Sequence, residues 1–594
     1  MDGRKAAVAL ALVLTACGPS GSRAHGRKAI VLGVDGMDPG FLERHWDALP
    51  NLRRLRDRGG LLRLATTTPP QSPVAWATFI TGLDPAQHGL FDFVLRDPAT
   101  LQPISSMGQT LEPAHHLDIG PWTFPLSAAR IRTFRRGRTF WEILEQHGIP
   151  ATIMRMPTNY PPEEHAGEAL SGMGTPDLEG TFGTFTYYTD DPGETPRVVS
   201  GGRIVPVTAD RGRVILPVQG PPNALRRDHR PTGLEMIAEI DPDQPVARFQ
   251  VGGRQFILRE GEWSPWVRVR FPLIEGVRSV AGMFRVYARQ LHPAIHIYRS
   301  PLNADPSDPA LPISAPAGFS RELAQHLGPF YTQGIEEDTS ALRQNALDLP
   351  EYLTQSRYVA RQHRALLREC LRRFHDGLLF FYFSETDQDS HVLWGAHDDE
   401  LLKTYQSVDG ALGDVLRAES DATIMVMSDH GFSSFRRSFN LNSWLHSEGL
   451  DGKAYGMGLN ALYLRKGDGA ALAEIRRRLL EFRDPETGER VIQDVTAIAS
   501  AGHEYAPDLI VGPAPGYRIS WESALGESSA AILEDNTDAW IADHCIAAKA
   551  VPGSLLGTRR SRVADPALKD LPVTILSLFG VSAPAEMTGR DIYR

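Results

Sequence analysis

Runs of consecutive apolar residues, each followed by polar residues, recur in the first and last parts of the chain. The segments KAIVLGVDG, GLLFFYFSETD and ATIMVMSDHG begin at Lys28, Gly377 and Ala422. Runs of this length are typical of strands that are buried on both faces. Between them, LPNLRRLRDRGG shows a helical period and ends in a glycine pair, which predicts a helix. The alternation of strands and helices predicts an α/β fold with a mainly parallel central sheet flanked by helices.

The pattern changes between residues 181 and 330. Val267, Val269 and Phe271 alternate with arginines, which indicates half-buried strands, and two adjacent glycines in FQVGGRQFIL predict a hairpin turn. A Pro-rich connector follows. We therefore expect a β-rich insertion or lid at 181–330, set between two parts of one α/β domain. Those two parts are residues 27–180 and 331–594.

The N-terminus has the features of an export signal. Residues 1–16 contain two basic residues and then an apolar segment that is too short to span a bilayer but long enough for a signal peptide. The segment ends in LTAC, which resembles the bacterial lipobox, so Cys17 is the expected lipidation site and residues 17–26 the tether. The alternative is an ordinary secretory signal with a chance cysteine. With Gly18 next, lipidation predicts anchoring on the periplasmic side of a bacterial envelope, at the outer membrane of a Gram-negative cell.

Composition narrows the class of protein. The 594 residues are 42% hydrophobic and 23% charged, which is typical of a globular chain too long for one ordinary core. The formal charge of −10 argues against a nucleic-acid duplex as partner. It does not exclude a small anionic substrate, because bound cations supply local positive charge. Apart from Cys17 there are only Cys370 and Cys545, so one disulfide is the maximum, and the apolar stripe around Cys370 predicts a buried thiol.

Three aspartates follow three of the predicted strands. Asp35, Asp387 and Asp429 each come at the end of an apolar run. Because ligands bind at the carboxyl ends of strands in open α/β sheets, we expect these carboxylates to meet at one edge. Bare carboxylates repel each other, so a proton or a cation is required. With His391 and His430 beside them, the donor set suits zinc or manganese better than magnesium or calcium.

Ser72 stands between a Thr/Pro-rich segment and an apolar run that begins with Pro73. Serine is favoured as a helix N-cap, and proline at the first helical position, so a helix is predicted to begin here. A helix N-terminus also attracts anions, so Ser72 could instead be a nucleophile that faces a phosphate. The local sequence leaves both interpretations open.

Five motifs occur along the chain in the order VLGVDG, QSPVAWATFITGLDPAQHG, ETDQDSH, SDHGF and ADHCI. They resemble motifs of the alkaline phosphatase superfamily, and most closely those of its type I phosphodiesterase/nucleotide pyrophosphatase branch. The resemblance covers most of residues 28–175 and 335–594. It implies an alkaline-phosphatase-like core and a phosphoester hydrolase, with small-molecule phosphodiesters or pyrophosphates as the expected substrates.

The resemblance also implies two divalent metal ions, with Zn²⁺ expected and Mn²⁺ as the alternative. The two ligand sets would be Asp387, His391 and His544 for one ion, and Asp35, Asp429 and His430 for the other. Ser72 would bridge toward the substrate and form a phosphoseryl intermediate. Backbone N–H groups at the start of the helix after Ser72 would hold a phosphoryl oxygen.

The sequence departs from the branch at three places. Ser72 replaces the usual threonine and is followed by Pro73 rather than by Phe-Pro-Asn. Phe93 stands where the branch has a phosphate-binding asparagine, and His544 lacks the usual flanking glycines.

Elsewhere in the motifs, Trp76 is predicted to be a core residue and His88 to order its loop. Arg518, outside them, is a candidate anion-binding residue.

Two other functions stay open. One is a phosphotransferase that resembles cofactor-independent phosphoglycerate mutase, whose ligand layout is similar, although an export signal argues against a glycolytic role. The other is a non-catalytic, metal-containing binding protein of the cell envelope. A formylglycine sulfatase is excluded because none of the three cysteines begins a Cys-x-Pro-x-Arg motif. The sequence does not indicate the oligomeric state.

Overall fold

The computed structural model describes residues 26–127, 130–465, 469–498 and 503–594. The predicted signal peptide and Cys17 lie outside these residues. The α-helices, in chain order, are Pro39–His45, Pro50–Gly59, Ser72–Thr81, Pro85–His88, Phe140–Gln146, Phe319–Leu327, Thr339–Arg343, Leu349–Arg373, Glu385–Leu393, Asp398–Ala418, Leu441–Ser447, Gly469–Glu481, Trp521–Ala524 and Asp570–Leu578. Short 3-10 helices occupy Trp46–Ala48 and Ala548–Ala550. Within the described ranges, no helix combines the length and the apolar character needed to cross a bilayer.

An eight-stranded sheet forms the centre of the molecule. Its strands, in spatial order, are Leu61–Leu64, Gly553–Gly557, Thr423–Met427, Lys28–Val34, Gly377–Phe383, Ala151–Met156, Glu168–Ser171 and Ser314–Ala315. The five strands from Thr423–Met427 to Glu168–Ser171 pair in parallel, and antiparallel pairs flank them. The predicted α/β fold with a mainly parallel sheet is therefore confirmed.

Helices cover both faces of this sheet, which explains the uninterrupted apolar runs. On the first strand, Ile30 and Leu32 face one apolar cluster and Val31 faces another, as the two-residue period of a strand requires. The first cluster includes residues of the helix Leu349–Arg373, and the second includes residues of the helix Ser72–Thr81. Cys370 is buried in the first cluster as a free thiol, as predicted.

The region after residue 181 is rich in antiparallel strands. Its six-stranded sheet contains Arg197–Val199, Gly202–Pro206, Phe185–Thr189, His296–Arg299, Val286–Gln290 and Glu262–Trp263. Its five-stranded sheet contains Ala209–Asp210, Arg213–Pro222, Pro231–Ile240, Val246–Val251 and Arg254–Arg259, and its three-stranded sheet Val267–Ile274, Arg278–Phe284 and Asn303–Ala304. The predicted hairpin turn lies between Val246–Val251 and Arg254–Arg259, where Gly252 and Gly253 both adopt positive φ.

The chain returns to the main sheet earlier than the predicted boundary at residue 330. Ser314–Ala315 pairs with Glu168–Ser171, and the helix Phe319–Leu327 packs into the first apolar cluster. A two-residue strand inside a Pro-rich connector is too short to show a period, so this return could not be predicted from the hydrophobic pattern.

Smaller sheets complete the fold. One contains Gly516–Ile519, Ser433–Phe439 and Leu533–Asp535, with Ala542–Asp543 paired to Ser433–Phe439, and another contains Ala454–Gly456, Ala461–Leu464, Leu509–Pro513 and Ile492–Ala497. The two-stranded pairs are Val94–Arg96 with Pro103–Ser105, Gln109–Leu111 with Arg130–Arg132, and His116–Ile119 with Trp122–Pro125.

Gly33, in the strand Lys28–Val34, provides a test of the central packing. A Cβ at this position would lie 2.6 Å from Cη2 of Trp76 and 2.8 Å from Cζ of Phe380, so Gly33→Ala must displace a buried ring. We expect a cost of about 1–3 kcal/mol, measured as a lower thermal unfolding midpoint by circular dichroism. Gly452→Ala is the matched control, because no heavy atom of the described residues lies within 4 Å of its added Cβ. Equal midpoints for the two variants would contradict this packing.

Candidate metal centre

Three buried aspartates lie at the carboxyl edge of the central sheet. Asp35 directly follows the strand Lys28–Val34, and Asp429 comes shortly after the neighbouring strand Thr423–Met427. Asp387 lies in the helix that follows the strand Gly377–Phe383, and all three aspartates are buried. Nε2 of His430 lies 3.3 Å from Oδ1 of Asp35, 3.2 Å from Oδ2 of Asp429 and 3.9 Å from Oδ1 of Asp387. The structure thus brings together the three carboxylates that the strand pattern placed at one edge.

Two more histidines join this group from distant parts of the chain. His391 lies one helical turn after Asp387, and its Nε2 is 3.5 Å from Oδ1 of that residue. His544 follows the short strand Ala542–Asp543, and its Nε2 is 3.6 Å from the same Oδ1. The His544 ring stacks on the His430 ring with centroids 3.6 Å apart. His544, whose motif was the least regular, therefore lies within the same cluster as the other predicted residues.

Ser72 also faces this cluster. Its Oγ lies 3.4 Å from Oδ1 of Asp35 and 3.1 Å from Nε2 of His430. The helix begins at Ser72 itself, with Gln71 at the N-cap position and no side-chain capping bond. The prediction that Ser72 is the N-cap is therefore wrong by one residue, because its hydroxyl points to the carboxylate and imidazole and not to the helix backbone.

The backbone donors expected after Ser72 are already used. Pro73 has no N–H group, and Val74 and Ala75 both donate to the carbonyl oxygen of Gln71 at 2.9 Å. The expectation that these N–H groups hold a phosphoryl oxygen is wrong for this turn.

Hydrogen bonds hold Gln71, the residue before Ser72, in place. Its Nε2 donates to Oδ2 of Asp92 at 2.8 Å and to Oδ1 of Asn460 at 2.7 Å, and its Oε1 accepts from the N–H of Phe93 at 2.9 Å. Sequence reasoning missed Gln71 because these partners come from separate segments, so no local pattern marks them.

Asp35 is held through one of its two oxygens. Nε1 of Trp76 and the hydroxyl of Tyr382 donate to its Oδ2 at 2.9 and 2.7 Å. Oδ1 remains directed toward His430 and Ser72. Trp76 is a core residue as predicted, but its indole N–H adds a contact that the sequence did not indicate.

His391 and His544 point Nε2 toward the cluster and Nδ1 toward a backbone carbonyl. Nδ1 of His391 lies 2.8 Å from the carbonyl oxygen of Ala542, and Nδ1 of His544 lies 2.8 Å from that of Pro70. A carbonyl only accepts, so each Nδ1 donates, and in a neutral ring Nε2 then keeps a lone pair that can bind a metal ion. Trp540 stacks on the His391 ring with centroids 3.6 Å apart, which fixes the plane of that imidazole.

The buried carboxylates of the cluster need protons or a cation to offset their charge. Burial, together with the Asp35 carboxylate, raises the pKa of Asp429 well above its usual value. Burial lowers the pKa of His430, but the Asp429 and Asp35 carboxylates outweigh it and raise this pKa to about 10. Oδ1 of Asp387 and Oδ2 of Asp429 are buried and make no hydrogen bond within the described part of the chain. Unpaired buried carboxylate oxygens beside imidazole lone pairs fit divalent metal ions.

The ligand atoms form two overlapping groups. One atom from each of Asp35, Asp429 and His430 lies within 4.8 Å of the others, and the same holds for Asp387, His430 and His544. His430 thus belongs to both groups. His391 lies beside the second group, with its Nε2 3.5 Å from Oδ1 of Asp387. Mixed oxygen and nitrogen donors of this kind suit zinc or manganese.

Two further candidates have structural roles. His88 is buried, with Nε2 3.0 Å from Oγ1 of Thr78 and Nδ1 accepting from the N–H of Leu90, so it orders its loop as predicted. Arg518 is paired with Asp543, 3.2 Å from its Oδ2. Asp543 also accepts the N–H groups of His544 and Cys545, and so supports His544.

Comparison with known proteins identifies the family. The model of the type I phosphodiesterase / nucleotide pyrophosphatase family matches residues 29–199 and 266–531, about three quarters of the chain. The chain belongs to this family, as its motifs predicted. It is a metal-dependent phosphoric ester hydrolase of the phosphodiesterase/pyrophosphatase type. The matched residues include all the predicted ligands except His544.

Solved structures resemble the chain at low identity. Phosphonoacetate hydrolase from Sinorhizobium meliloti 1021, in complex with phosphonoacetate, is 12% identical, with 93% of this chain and 96% of that chain covered and a TM-score of 0.48. Murine ectonucleotide pyrophosphatase / phosphodiesterase 5 is 11% identical, with coverage of 94% and 96% and a TM-score of 0.42. None of the curated proteins compared matches the chain.

Tyr382 tests whether the support of Asp35 matters for metal binding. Tyr382→Phe removes the 2.7 Å hydrogen bond to Oδ2 and leaves the ring in place. Because such supporting contacts orient metal ligands, we expect metal affinity to fall by about 10–100-fold, measured by competition with a chelator. Tyr463→Phe, another buried tyrosine, is the control, since its hydroxyl contacts only the distant carbonyl of Tyr505 at 3.4 Å among the bonds described. An unchanged affinity in Tyr382→Phe would contradict a role for its hydroxyl in orienting Asp35 as a metal ligand.

Proposed function

We propose that this protein hydrolyses phosphodiesters or pyrophosphates through a phosphoseryl intermediate on Ser72, at a centre of two divalent metal ions. The observation that carries the proposal is the position of the Ser72 hydroxyl, which lies between Asp35 and His430 at the edge of both ligand groups. Membership of the family supports the reaction class, and the geometry supports the serine as its nucleophile.

Zn²⁺ is the proposed metal, with Mn²⁺ as the alternative. Asp387, His391 and His544 would hold one ion, and Asp35, Asp429 and His430 the other. When bound, the two ions would lower the pKa of a nearby hydroxyl and neutralise charge on phosphoryl and leaving-group oxygens.

Ser72 carries the covalent chemistry in this proposal. Its Oγ attacks phosphorus, so that an Oγ–P bond forms and the bond from phosphorus to the leaving oxygen breaks; the Oγ proton passes through water to the leaving oxygen, which departs as an alcohol or a phosphate. Water then cleaves the Oγ–P bond, which releases the phosphate product and restores the hydroxyl. The helix Ser72–Thr81 begins at this residue, so the positive end of its dipole favours the anionic substrate.

The protein's own contacts keep this arrangement in place. Trp76 and Tyr382 orient Asp35, and the bonds of Gln71 to Asp92 and Asn460 fix the chain immediately before Ser72. The seven site residues are buried, which excludes bulk water and strengthens the electrostatic contacts among them.

Export and lipid anchoring through Cys17 belong to the same proposal. The sequence LTAC after a short apolar segment supports them. A lipid-anchored enzyme would meet its small phosphoester substrates in the cell envelope.

Replacement of the serine tests the mechanism. We expect Ser72→Ala to lower the hydrolysis of bis-p-nitrophenyl phosphate by about 10³-fold or more, because no other hydroxyl takes its place, while metal content is retained. Ser320→Ala is the matched control, since it also removes a buried hydroxyl but lies in the helix Phe319–Leu327. Acid quenching during turnover should trap phosphate on the Ser72 peptide of the wild-type enzyme.

The same assay separates the alternatives. Full activity in Ser72→Ala would contradict the phosphoseryl intermediate. Transfer of phosphate between hydroxyls of a sugar acid would favour the mutase-like function. If neither bis-p-nitrophenyl phosphate nor p-nitrophenyl phosphate is turned over with Zn²⁺ or Mn²⁺, the binding-protein function is favoured instead.

Cys17 tests the anchor. Expressed in a bacterial host, the wild-type protein should sediment with membranes and incorporate labelled palmitate, because a lipidated cysteine is its only proposed attachment. Cys17→Ser should remain soluble and unlabelled, whereas Cys370→Ser, which removes a buried thiol, should behave like wild type. Equal membrane association of Cys17→Ser and wild type would contradict lipid anchoring through this residue.

A further inference from the structure

A second group of buried ionisable side chains lies at the start of the helix Glu385–Leu393. It consists of Glu337, His363 and Glu385, each no more than 2% exposed. One ligand atom from each of these residues lies within 4.8 Å of the other two. His363 comes from the helix Leu349–Arg373 and Glu337 from the segment before Thr339–Arg343, so three separate elements converge here.

The donor atoms in this group lack hydrogen-bond partners. Both ring nitrogens of His363 and Oε2 of Glu385 are buried and make no hydrogen bond among the described residues. Nδ1 of His363 lies 3.0 Å from Oε1 of Glu385, but out of line for a hydrogen bond. Glu337 accepts one from Oγ of Ser384 at 3.0 Å. Native proteins seldom leave buried polar atoms unpaired, so these atoms indicate a missing partner.

The charges point to the same conclusion. Arg155 forms a buried, two-pronged ion pair with Glu336 beside this group, so its charge is already matched by one carboxylate. Burial lowers the pKa of His363, but the carboxylates of Glu385 and Glu336, 3.0 Å from its Nδ1 and 3.5 Å from its Nε2, outweigh burial and raise this pKa to about 9. Glu337 and Glu385 leave an excess of two negative charges if both are ionised and His363 is neutral, and of one if His363 is protonated. Burial and the carboxylates of Glu336 and Glu385 raise the pKa of Glu337 to about 8, which reflects this excess. Either two protons or one divalent cation would balance it.

We propose that Glu337, His363 and Glu385 bind an additional divalent metal ion, separate from the pair at Ser72. Two carboxylates and one imidazole are donors suited to zinc or manganese, and their two negative charges and one nitrogen lone pair match a three-ligand site. One cation would satisfy an unpaired nitrogen of His363 and the unpaired oxygen of Glu385 together. The alternative is two protons, one of them on a His363 ring that lies between the carboxylates of Glu336 and Glu385.

This ion would have a structural role. Glu385 is the first residue of the helix that carries Asp387 and His391, and Ser384, which contacts Glu337, is the residue before it. An ion shared by Glu385, Glu337 and His363 would tie the start of this helix to two other elements. The inference does not depend on hydrolysis, because Glu337, His363 and Glu385 have no part in the proposed reaction.

Native mass spectrometry of the intact, Zn²⁺-equilibrated protein tests the inference by counting bound ions. We expect about one ion per chain beyond the two-metal centre in the wild type, and about one ion fewer in Glu337→Gln. This variant is informative because glutamine resembles a protonated glutamate in shape. If the site holds protons, Glu337→Gln should keep the wild-type ion count and thermal stability.

Three more variants complete the test. His363→Gln should also lose about one ion, whereas Glu486→Gln, at an exposed carboxylate, should lose none. Ser72→Ala should retain every ion, so a failure of the proposed hydrolysis is distinguishable from a failure of this inference. A wild-type protein with only two ions, or an ion count unchanged in both Glu337→Gln and His363→Gln, would overturn the additional site.

Discussion

The structure depends on the mutual repulsion of three buried carboxylates and on the positive charge that offsets it. Asp35, Asp387 and Asp429 are brought together because they end three adjacent parallel strands, and their burial removes the water that would otherwise screen them. His430 lies among all three, yet one imidazolium cannot neutralise three carboxylates. Protons or divalent cations must supply the remaining positive charge, and the carboxylate and imidazole donors present fit divalent cations.

The rest of the main domain holds this charged edge in place. Apolar clusters on both faces of the sheet fix the strands, and polar contacts then orient individual ligands. Trp76 shows how the two are combined, because its ring fills the core while its N–H holds Asp35. His544 reaches the site from a small separate sheet, with Asp543 and Pro70 fixing its backbone and ring. Ligands from residues 35 to 544 thus form one site only when the whole domain is folded.

Much of this could be predicted from the sequence, and the exceptions share a physical cause. Uninterrupted apolar runs showed the strands, and the rule that parallel strands end at one edge placed Asp35, Asp387 and Asp429 together. Motif order added His544, which no periodicity would have indicated.

Tyr382, Gln71 and Trp540 were missed because their roles come from contacts between distant segments. The N-cap was misplaced by one residue for the same reason, since the hydroxyl of Ser72 interacts with Asp35 and His430. The early return of the chain at Ser314–Ala315 depends on pairing with a strand more than a hundred residues away.

The most direct measurement is anomalous X-ray diffraction from crystals grown with Zn²⁺, with data collected on both sides of the zinc absorption edge. Two strong peaks are expected at the sheet edge, one in contact with Asp387, His391 and His544 and the other with Asp35, Asp429 and His430, with Oγ of Ser72 beside the second. The absence of both peaks, or peaks coordinated by other side chains, would contradict a two-metal centre built from these residues.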